Sequence, residues 1–179
     1  MRLYVRIKMN HSRKQLTLFV SGTSATTIDK IRARFNPLQH YLIAAHVTLC
    51  REDEIEPIQE IIKRMEMIDL KEPIRITFKS LERFANGKGV LIPCANESKG
   101  FQNLRKIVLG SKLLTKNQIP HLTLMHPRNS TCTDDNFKKL MNEKLPTVLF
   151  FDTISLIEQN NGGKWNIIRE FPIVKMAIE

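Results

Sequence analysis

The sequence His-Val-Thr-Leu at positions 46–49 recurs, with one change, as His-Leu-Thr-Leu at positions 121–124. In a β-strand successive side chains point to opposite faces. The His and Thr of each copy would then share one face, and the two aliphatic residues would share the other. Each copy can therefore bury its aliphatic pair in a core while presenting an imidazole and a hydroxyl to an open groove. Two unrelated amphipathic strands are the alternative, but the repetition favours a common role.

The elements around the two copies also repeat. Strand, helix, His-x-Thr strand, helix and strand follow one another over about 15–81 and again from about 90, with a closing strand to about 171. Similar lobes related by an approximate two-fold axis would bring the two motif strands together. We therefore predict an α+β fold: residues 1–179 as a single bilobal domain of two β-α-β-α-β lobes with antiparallel sheets around a central cleft. Both His and both Thr would face that cleft.

Local patterns predict the individual elements. A helix is expected from a cap at Thr26 or Thr27, with Asp29 in its first turn, to the stop at Asn36-Pro37. A second is expected to begin in the acidic run 52–56 and to bury Ile55, Ile58, Ile62 and Met65. Further helices are expected near 99–110 (Phe101, Leu104, Val108) and 134–143 (Phe137, Leu140, Met141). Strands are expected at 16–20, 45–50, 74–78, 90–92, 121–124, as one long strand over 147–159, and around Trp165, Ile167 and Ile168.

Two stretches allow more than one interpretation. Residues 1–14 alternate apolar and basic side chains, as in an edge strand or a loosely held arm. Gly87-x-Gly89 could form a phosphate loop, but no Lys-Ser/Thr follows it and strands flank it, which favours a hairpin turn.

Composition limits the class of protein. The 42% hydrophobic and 26% charged residues are typical of a globular chain, and no run of 18 apolar residues or signal-like start is present, so we expect a cytoplasmic protein without a membrane partner. The formal net charge of +10 favours a polyanion such as RNA or a nucleotide. Cys50, Cys94 and Cys132 lack a C-x-x-C pair and are expected to be free thiols, with Cys50 directed away from the His46/Thr48 face.

Two imidazoles around a phosphate indicate acid–base chemistry on a phosphoester. One neutral His can accept a proton while a protonated one donates, and breaking a P–O bond needs both. The Thr48 and Thr123 hydroxyls could donate to the non-bridging oxygens. This scheme needs no metal and no cofactor. A metal site, with His121, His126 and either Cys132 or Asp134 as ligands, is the competing interpretation.

Other residues near the motifs are candidate parts of the site. Arg51 and Arg128 follow the two motifs and could hold a phosphate or be ordinary surface residues. Phe84 could stack on a base, but a half-buried loop position is favoured. Trp165 and Phe151 are expected in the core, and His40 at a packing or surface position.

With two His-x-Thr-Leu strands in the two halves of a basic chain, the sequence resembles the 2H phosphoesterase superfamily. That superfamily includes 2′-5′ RNA ligase-like proteins, cyclic phosphodiesterases and RNA-end-processing enzymes, and the similarity covers roughly residues 15–171. The resemblance implies a bilobal fold and a metal-independent mechanism, with catalytic roles for His46 and His121 and phosphate contacts for Thr48 and Thr123. The chain departs from the family in its N-terminal arm and in the His126-Pro127 step.

The resemblance implies a 2H-type phosphodiesterase acting on 2′,3′-cyclic or 2′-5′-linked phosphodiesters of RNA ends or nucleotides. RNA 2′-5′ ligation, the reverse reaction, uses the same groups and stays open. A non-catalytic RNA-binding module is the third alternative, and it predicts salt-sensitive binding that is indifferent to His46 and His121. No obligatory protein partner is indicated.

Overall fold

The computed structural model describes residues 11–110 and 118–175. The strands in these residues are β1 (Ser12–Phe19), β2 (His46–Cys50), β3 (Ile74–Thr77), β4 (Glu82–Arg83), β5 (Val90–Pro93), β6 (His121–Met125), β7 (Val148–Phe151), β8 (Thr153–Asn160) and β9 (Trp165–Pro172). The helices are α1 (Gly22–Phe35), α2 (Pro37–Leu42), α3 (Ile58–Glu66), α4 (Lys99–Leu109) and α5 (Asp134–Met141). The alternating run at the start of the chain lies largely outside the described residues.

The two motif strands are neighbours at the centre of the larger sheet. Its order is β4-β5-β6-β2-β1-β8-β9, and β3 pairs with β7 in a separate two-stranded sheet. All of these pairs are antiparallel. Apart from the extra edge strand β9, the order is symmetric about the β6–β2 pair. The strands β5 and β1 flank the pair, and each precedes its neighbour through a helical connection. The predicted α+β fold with antiparallel sheets is confirmed.

The two halves exchange their last strands. After β3, the first half continues into β4, which pairs with β5 of the second half. After β7, the second half continues into β8, which pairs with β1 of the first half. The strands β3 and β7 pair with each other. The prediction of one long strand over 147–159 is therefore wrong. The segment is divided at Asp152, because β7 and β8 belong to different sheets. Each half thus contributes to both sides of the molecule.

The apolar face of the central strands forms the core. Leu16, Leu18, Val47, Leu49, Leu122 and Leu124 are each at most 1% exposed and pack in one cluster with Ile28, Phe101, Leu104 and Val108. Burying each such side chain contributes about 1.5–3 kcal/mol. The aliphatic half of each motif therefore holds the strand in place, which leaves the opposite face free for chemistry.

The first helix begins earlier than predicted. It starts at Gly22, where the Ala25 amide donates to the Ser21 carbonyl, and it ends at Phe35 as expected. Thr27 lies inside the helix and its hydroxyl donates to the Thr23 carbonyl instead of capping the first turn. The expected cap is wrong because a Ser or Thr inside a helix can satisfy its hydroxyl on the preceding turn.

The second helix begins later than its acidic run suggests. Residues Glu52–Glu54 form a single 3₁₀ turn, and α3 starts at Ile58, after Pro57. Ile61 and Met65 form its buried stripe, while Ile58 and Ile62 are only partly buried. With this start the helix lies 76 positions before Asp134 of α5, so it obeys the internal repeat. The acidic side chains serve another purpose, described below.

Of the remaining local predictions, some are confirmed and one differs from the structure. The helix at 99–110 is confirmed as α4, and the turn at 82–89 is confirmed as the β4–β5 hairpin. Gly87 adopts φ +70°, and a Cβ on Gly89 would lie 2.5 Å from the Met125 carbonyl oxygen, so both glycines serve the hairpin. Of the apolar residues of the predicted helix near 134–143, Leu140 is buried but Met141 is 63% exposed. Within the described residues, no helix is both long and apolar enough to cross a membrane.

Candidate active site

The register of the central strand pair brings the two motifs together. Val47 pairs with Leu122, so one step to either side His46 lies beside Thr123 and Thr48 beside His121. The two His are diagonal neighbours on one face, a spacing of about 7–8 Å between backbone positions. All four side chains are half-buried and line one cleft of about 620 Å³. This volume is in the range of sites that enclose small ligands.

A bulge at the end of each motif strand changes which residues face the cleft. Thr17 pairs with Thr48 and Leu16 with Cys50, which leaves Leu49 as an extra residue. Regular alternation would put Cys50 on the face of His46. The bulge turns Cys50 into the core, where it is completely buried. Cys50 is thus directed away from the His46/Thr48 face as predicted, but the cause is the bulge. The next residue, Arg51, lines the cleft.

A bulge also ends the second motif strand. Leu91 pairs with Thr123 and Val90 with Met125, so Leu124 is the extra residue. Met125 is 1% exposed, and His126 is directed to the cleft. His126 is thus the positional equivalent of Arg51, five residues after its motif His.

Each motif imidazole is held by a carbonyl two residues before it. The ring Nδ1 of His46 lies 2.8 Å from the Ala44 carbonyl oxygen, and that of His121 lies 3.1 Å from the Ile119 oxygen. A carbonyl only accepts hydrogen bonds, so Nδ1 carries the proton in both rings. The Nε2 atom, on the far side of each ring, is therefore the one that can exchange a proton with a ligand.

Burial makes both imidazoles weak bases. Burial is the largest cause that lowers the pKa of His46 from 6.5 to about 4; the nearby charges of Arg32, His121 and His126 act in the same direction, and the hydrogen bond to the Ala44 carbonyl opposes them. Burial also lowers the pKa of His121, with the Arg51 charge as a second cause. Both rings are neutral near pH 7 in the empty cleft, and an anion placed between them would raise their pKa values.

A polar network fixes the segment that leads into the first motif. The Asp29 carboxylate accepts from the Ala45 amide at 3.1 Å and from the Arg32 guanidinium at 2.6 Å. Arg32, 1% exposed, also donates to the Ile43 carbonyl. Asp29 was expected in the first turn of α1; it lies deeper in the helix, where it orients the residues just before His46.

A buried ion pair fixes the other end of the same strand. The Arg105 guanidinium of α4 is fully buried and lies 2.6 Å from the Glu54 carboxylate. It also donates to the Leu49 carbonyl, and Glu54 accepts from the Arg51 amide at 2.8 Å. Glu54 of the acidic run therefore anchors the bulged end of β2, and its contact with the Arg51 amide closes the 3₁₀ turn instead of starting α3.

The cleft is strongly basic. Five side chains carry positive charge along its lining: Arg13, Lys14, Arg32, Arg51 and Arg128; two are acidic: Glu52 and Asp53. Arg51 and Arg128, the two arginines predicted from the sequence as candidate parts of the site, are exposed and line the cleft. Arg13, Lys14 and Arg32 were missed. The alternation of Arg13, Gln15 and Thr17 with the buried Leu16 and Leu18 is the signal that would have placed Arg13 on the cleft face.

Two aromatic side chains stand at opposite ends of this lining. Phe84, after β4, is half-buried and meets the His121 ring edge-on, with 6.1 Å between ring centres. Trp165, on β9, was predicted in the core; this is wrong, because it is half-buried and lines the cleft. Phe151 is buried as predicted. His40, on α2, is partly exposed beside Asp29, in agreement with a packing or surface position.

The cysteines and the candidate metal ligands have other partners. All three thiols are free and buried, and burial raises the pKa of Cys50 to about 12. The Cys132 thiol lies 3.5 Å from the Thr133 carbonyl, and Asp134 pairs with Arg83 at 2.6 Å. In the part of the chain that the structure describes, no three His, Cys, Asp or Glu side chains are grouped as a metal site would require.

Comparison with known proteins identifies the family and the fold. A family model described as the 2′-5′ RNA ligase superfamily matches residues 20–163. Solved structures share the fold at low identity. LigT of E. coli in complex with 3′-AMP has a TM-score of 0.64 at 13% identity, covering 92% of this chain and 99% of that one. TT0787 of Thermus thermophilus has a TM-score of 0.57 at 14% identity, covering 90% and 97%. No curated protein sequence matches.

Proposed function

Since the chain belongs to the 2′-5′ RNA ligase superfamily, we propose that it is a metal-independent phosphodiesterase for 2′,3′-cyclic or 2′-5′-linked phosphodiesters of RNA ends or nucleotides. One observation carries the proposal: the His46 and His121 rings share one basic cleft, and each is anchored through Nδ1 so that Nε2 is available. The complexes of E. coli LigT with phosphate and with 3′-AMP support a phosphate-bearing ligand.

The chemistry follows from the two rings. With a cyclic phosphate between them, one neutral imidazole accepts a proton from water as the water oxygen bonds to phosphorus. The other, protonated, imidazole donates to the ribose oxygen as its bond to phosphorus breaks. The products are a phosphomonoester and a free ribose hydroxyl, and exchange with solvent restores both rings. Ligation would use the same groups with the 5′-hydroxyl of a second RNA in place of water: that oxygen bonds to phosphorus and gives its proton to the neutral ring, while the 3′ oxygen leaves with the proton of the other ring, which yields a 2′-5′ linkage.

The rest of the cleft stabilises the charge that develops on phosphorus. The Thr48 and Thr123 hydroxyls are on the same face as the two rings and can donate to the non-bridging oxygens. Arg51 and Arg128 are exposed, line the cleft and add positive charge to it. These groups together supply what phosphoryl transfer requires of a protein, namely positioning and electrostatic stabilisation.

Single substitutions of the two rings test the proposal. We expect His46→Ala and His121→Ala each to lower kcat for a 2′,3′-cyclic nucleotide by about 10²–10⁴-fold, the usual contribution of an acid or base. His11 offers a matched control, because its side chain is exposed and is not part of the cleft lining. Thermal unfolding would show that each variant is folded.

Two results would contradict the proposal. The first is turnover within tenfold of the wild-type rate in both variants. The second is loss of wild-type activity on addition of a chelator, restored by a divalent metal. A protein that binds RNA without turnover, and whose affinity is indifferent to both substitutions, would instead be a binding module.

A further inference from the structure

Three side chains form a cross-strand row at the end of the cleft distant from Phe84. Arg13 on β1 pairs with Gln159 on β8, and Gln159 pairs with Trp165 on β9. Directly paired residues in a sheet share a face. Arg13 is four residues from Thr17, the partner of Thr48, so the row lies on the same face as the motif hydroxyls. Arg13 and Trp165 both line the cleft.

The row is ordered before any ligand arrives. The Arg13 guanidinium lies 5.3 Å from the centre of the Trp165 ring and donates to the Gln159 side chain. Gln159 is 3% exposed, and its own amide donates to the Gly163 carbonyl at 2.5 Å. The Glu52 carboxylate lies 4.0 Å from the Arg13 Nε. A platform held in this way loses little entropy on binding, which favours recognition of a flat ligand.

The position of the row of Arg13, Gln159 and Trp165 suits the base of a second nucleotide better than that of the reacting nucleotide. Four residues of strand separate Thr17 from Arg13, about 14 Å along β1. The row is therefore separated along the sheet from the place between the two rings where the reacting phosphate would lie. A further nucleotide of the same strand would extend there, past the basic rim residue Arg51. The indole and guanidinium surfaces are those on which unpaired bases stack.

Building on the proposed phosphodiesterase site, we propose that Arg13, Gln159 and Trp165 form a second nucleotide subsite. It binds the base of a nucleotide next to the reacting phosphate by stacking on Trp165 and Arg13, and the Arg13 charge attracts the adjoining backbone phosphate. The substrate class is then single-stranded RNA of two or more nucleotides, in preference to a cyclic mononucleotide.

Trp165 is the only tryptophan of the sequence, so its fluorescence reports on this subsite alone. The protein would carry His46→Ala and His121→Ala to prevent turnover. Binding of a six-nucleotide single-stranded RNA and of a 2′,3′-cyclic mononucleotide would each be followed by calorimetry and by Trp165 emission. We expect quenching by the oligonucleotide only. Saturating RNA binding with unchanged emission would overturn the proposal.

Kinetics on the wild-type background give an independent reading. Stacking on an aromatic side chain corresponds to about a 5- to 150-fold change in affinity. Trp165→Leu should raise KM for the oligonucleotide by that factor, with kcat and the mononucleotide KM unchanged. Trp165→Phe should retain most of the affinity. Ile167→Ala is the matched control, because Ile167 lies on the same strand but is 53% exposed outside the cleft lining.

The outcomes separate this proposal from the one it rests on. If Trp165→Leu changes KM equally for both substrates, or for neither, the second subsite is wrong while the phosphodiesterase stands. If no substrate is turned over, the phosphodiesterase is wrong, and the fluorescence titration still decides whether RNA binds at Trp165. Arg13→Gln should reproduce the oligonucleotide effect and weaken its salt dependence.

Discussion

The pH dependence of catalysis should depend on whether the cleft is occupied. Burial lowers the pKa of His46 to about 4 and holds that of His121 below its ordinary value of 6.5. Acid–base catalysis needs one neutral and one protonated ring, and in the free enzyme that state is populated between the two pKa values of the pair. Because kcat/KM reports the free enzyme, we expect it to peak below pH 6.5 and to fall about tenfold per pH unit above its upper pKa.

A bound phosphate should shift this window upward. A negative charge about 4 Å from an imidazolium contributes about 4 kcal/mol at an effective dielectric constant of about 20. That energy corresponds to a rise of up to about 3 units in the upper pKa. Since kcat reports the enzyme–substrate complex, its alkaline limb should lie up to about 3 units above that of kcat/KM.

The assay is hydrolysis of a 2′,3′-cyclic nucleotide from about pH 4 to 9, with kcat and KM determined at each pH. His11→Ala serves as a control and should give the same two profiles as the wild type. Coincident alkaline limbs for kcat and kcat/KM, or a kcat/KM that keeps rising above about pH 8, would refute the reasoning from burial.

Further predictions concern the residues that support and line the cleft. Arg105→Met should lower the free energy of unfolding in urea by about 3–5 kcal/mol, since it leaves a buried carboxylate unpaired; the exposed pair of Arg169 should cost under about 1 kcal/mol on the same substitution, and equal losses would contradict this. Thr48→Val and Thr123→Val should each lower kcat about 10²-fold with little change in KM, and unchanged rates would exclude both hydroxyls. Cys50 should resist a thiol reagent until the protein unfolds, as measured by mass spectrometry; labelling at the rate of a free thiol would contradict its burial.

Where local sequence decides the structure, prediction succeeded. The alternation in the two motifs placed His46, Thr48, His121 and Thr123 on one face, because these residues lie in the regular part of each strand, before its bulge. The helix α4 was predicted within a residue or two, since its apolar spacing is regular.

Element boundaries failed where a distant partner decides them. The acidic run before α3 is typical of a helix start, but Glu54 pairs with Arg105, 51 residues away. The long strand at 147–159 is uniform in sequence, yet it divides because β7 and β8 find their partners in different sheets. Trp165 is a large apolar residue of the kind found in protein cores, and this is why it was predicted there. It lies in the cleft because its strand, β9, is the edge strand next to β8.

By itself, the sequence determined two amphipathic strands with equivalent His and Thr residues, a basic surface and an α+β order of elements. Only the tertiary structure decided what else faces the cleft. The bulges that turn Arg51 and His126 toward it, and the row of Arg13, Gln159 and Trp165, depend on strand registers. Most of those registers join residues far apart in the chain, as Arg13 and Gln159 are, and the packing of the whole sheet sets them.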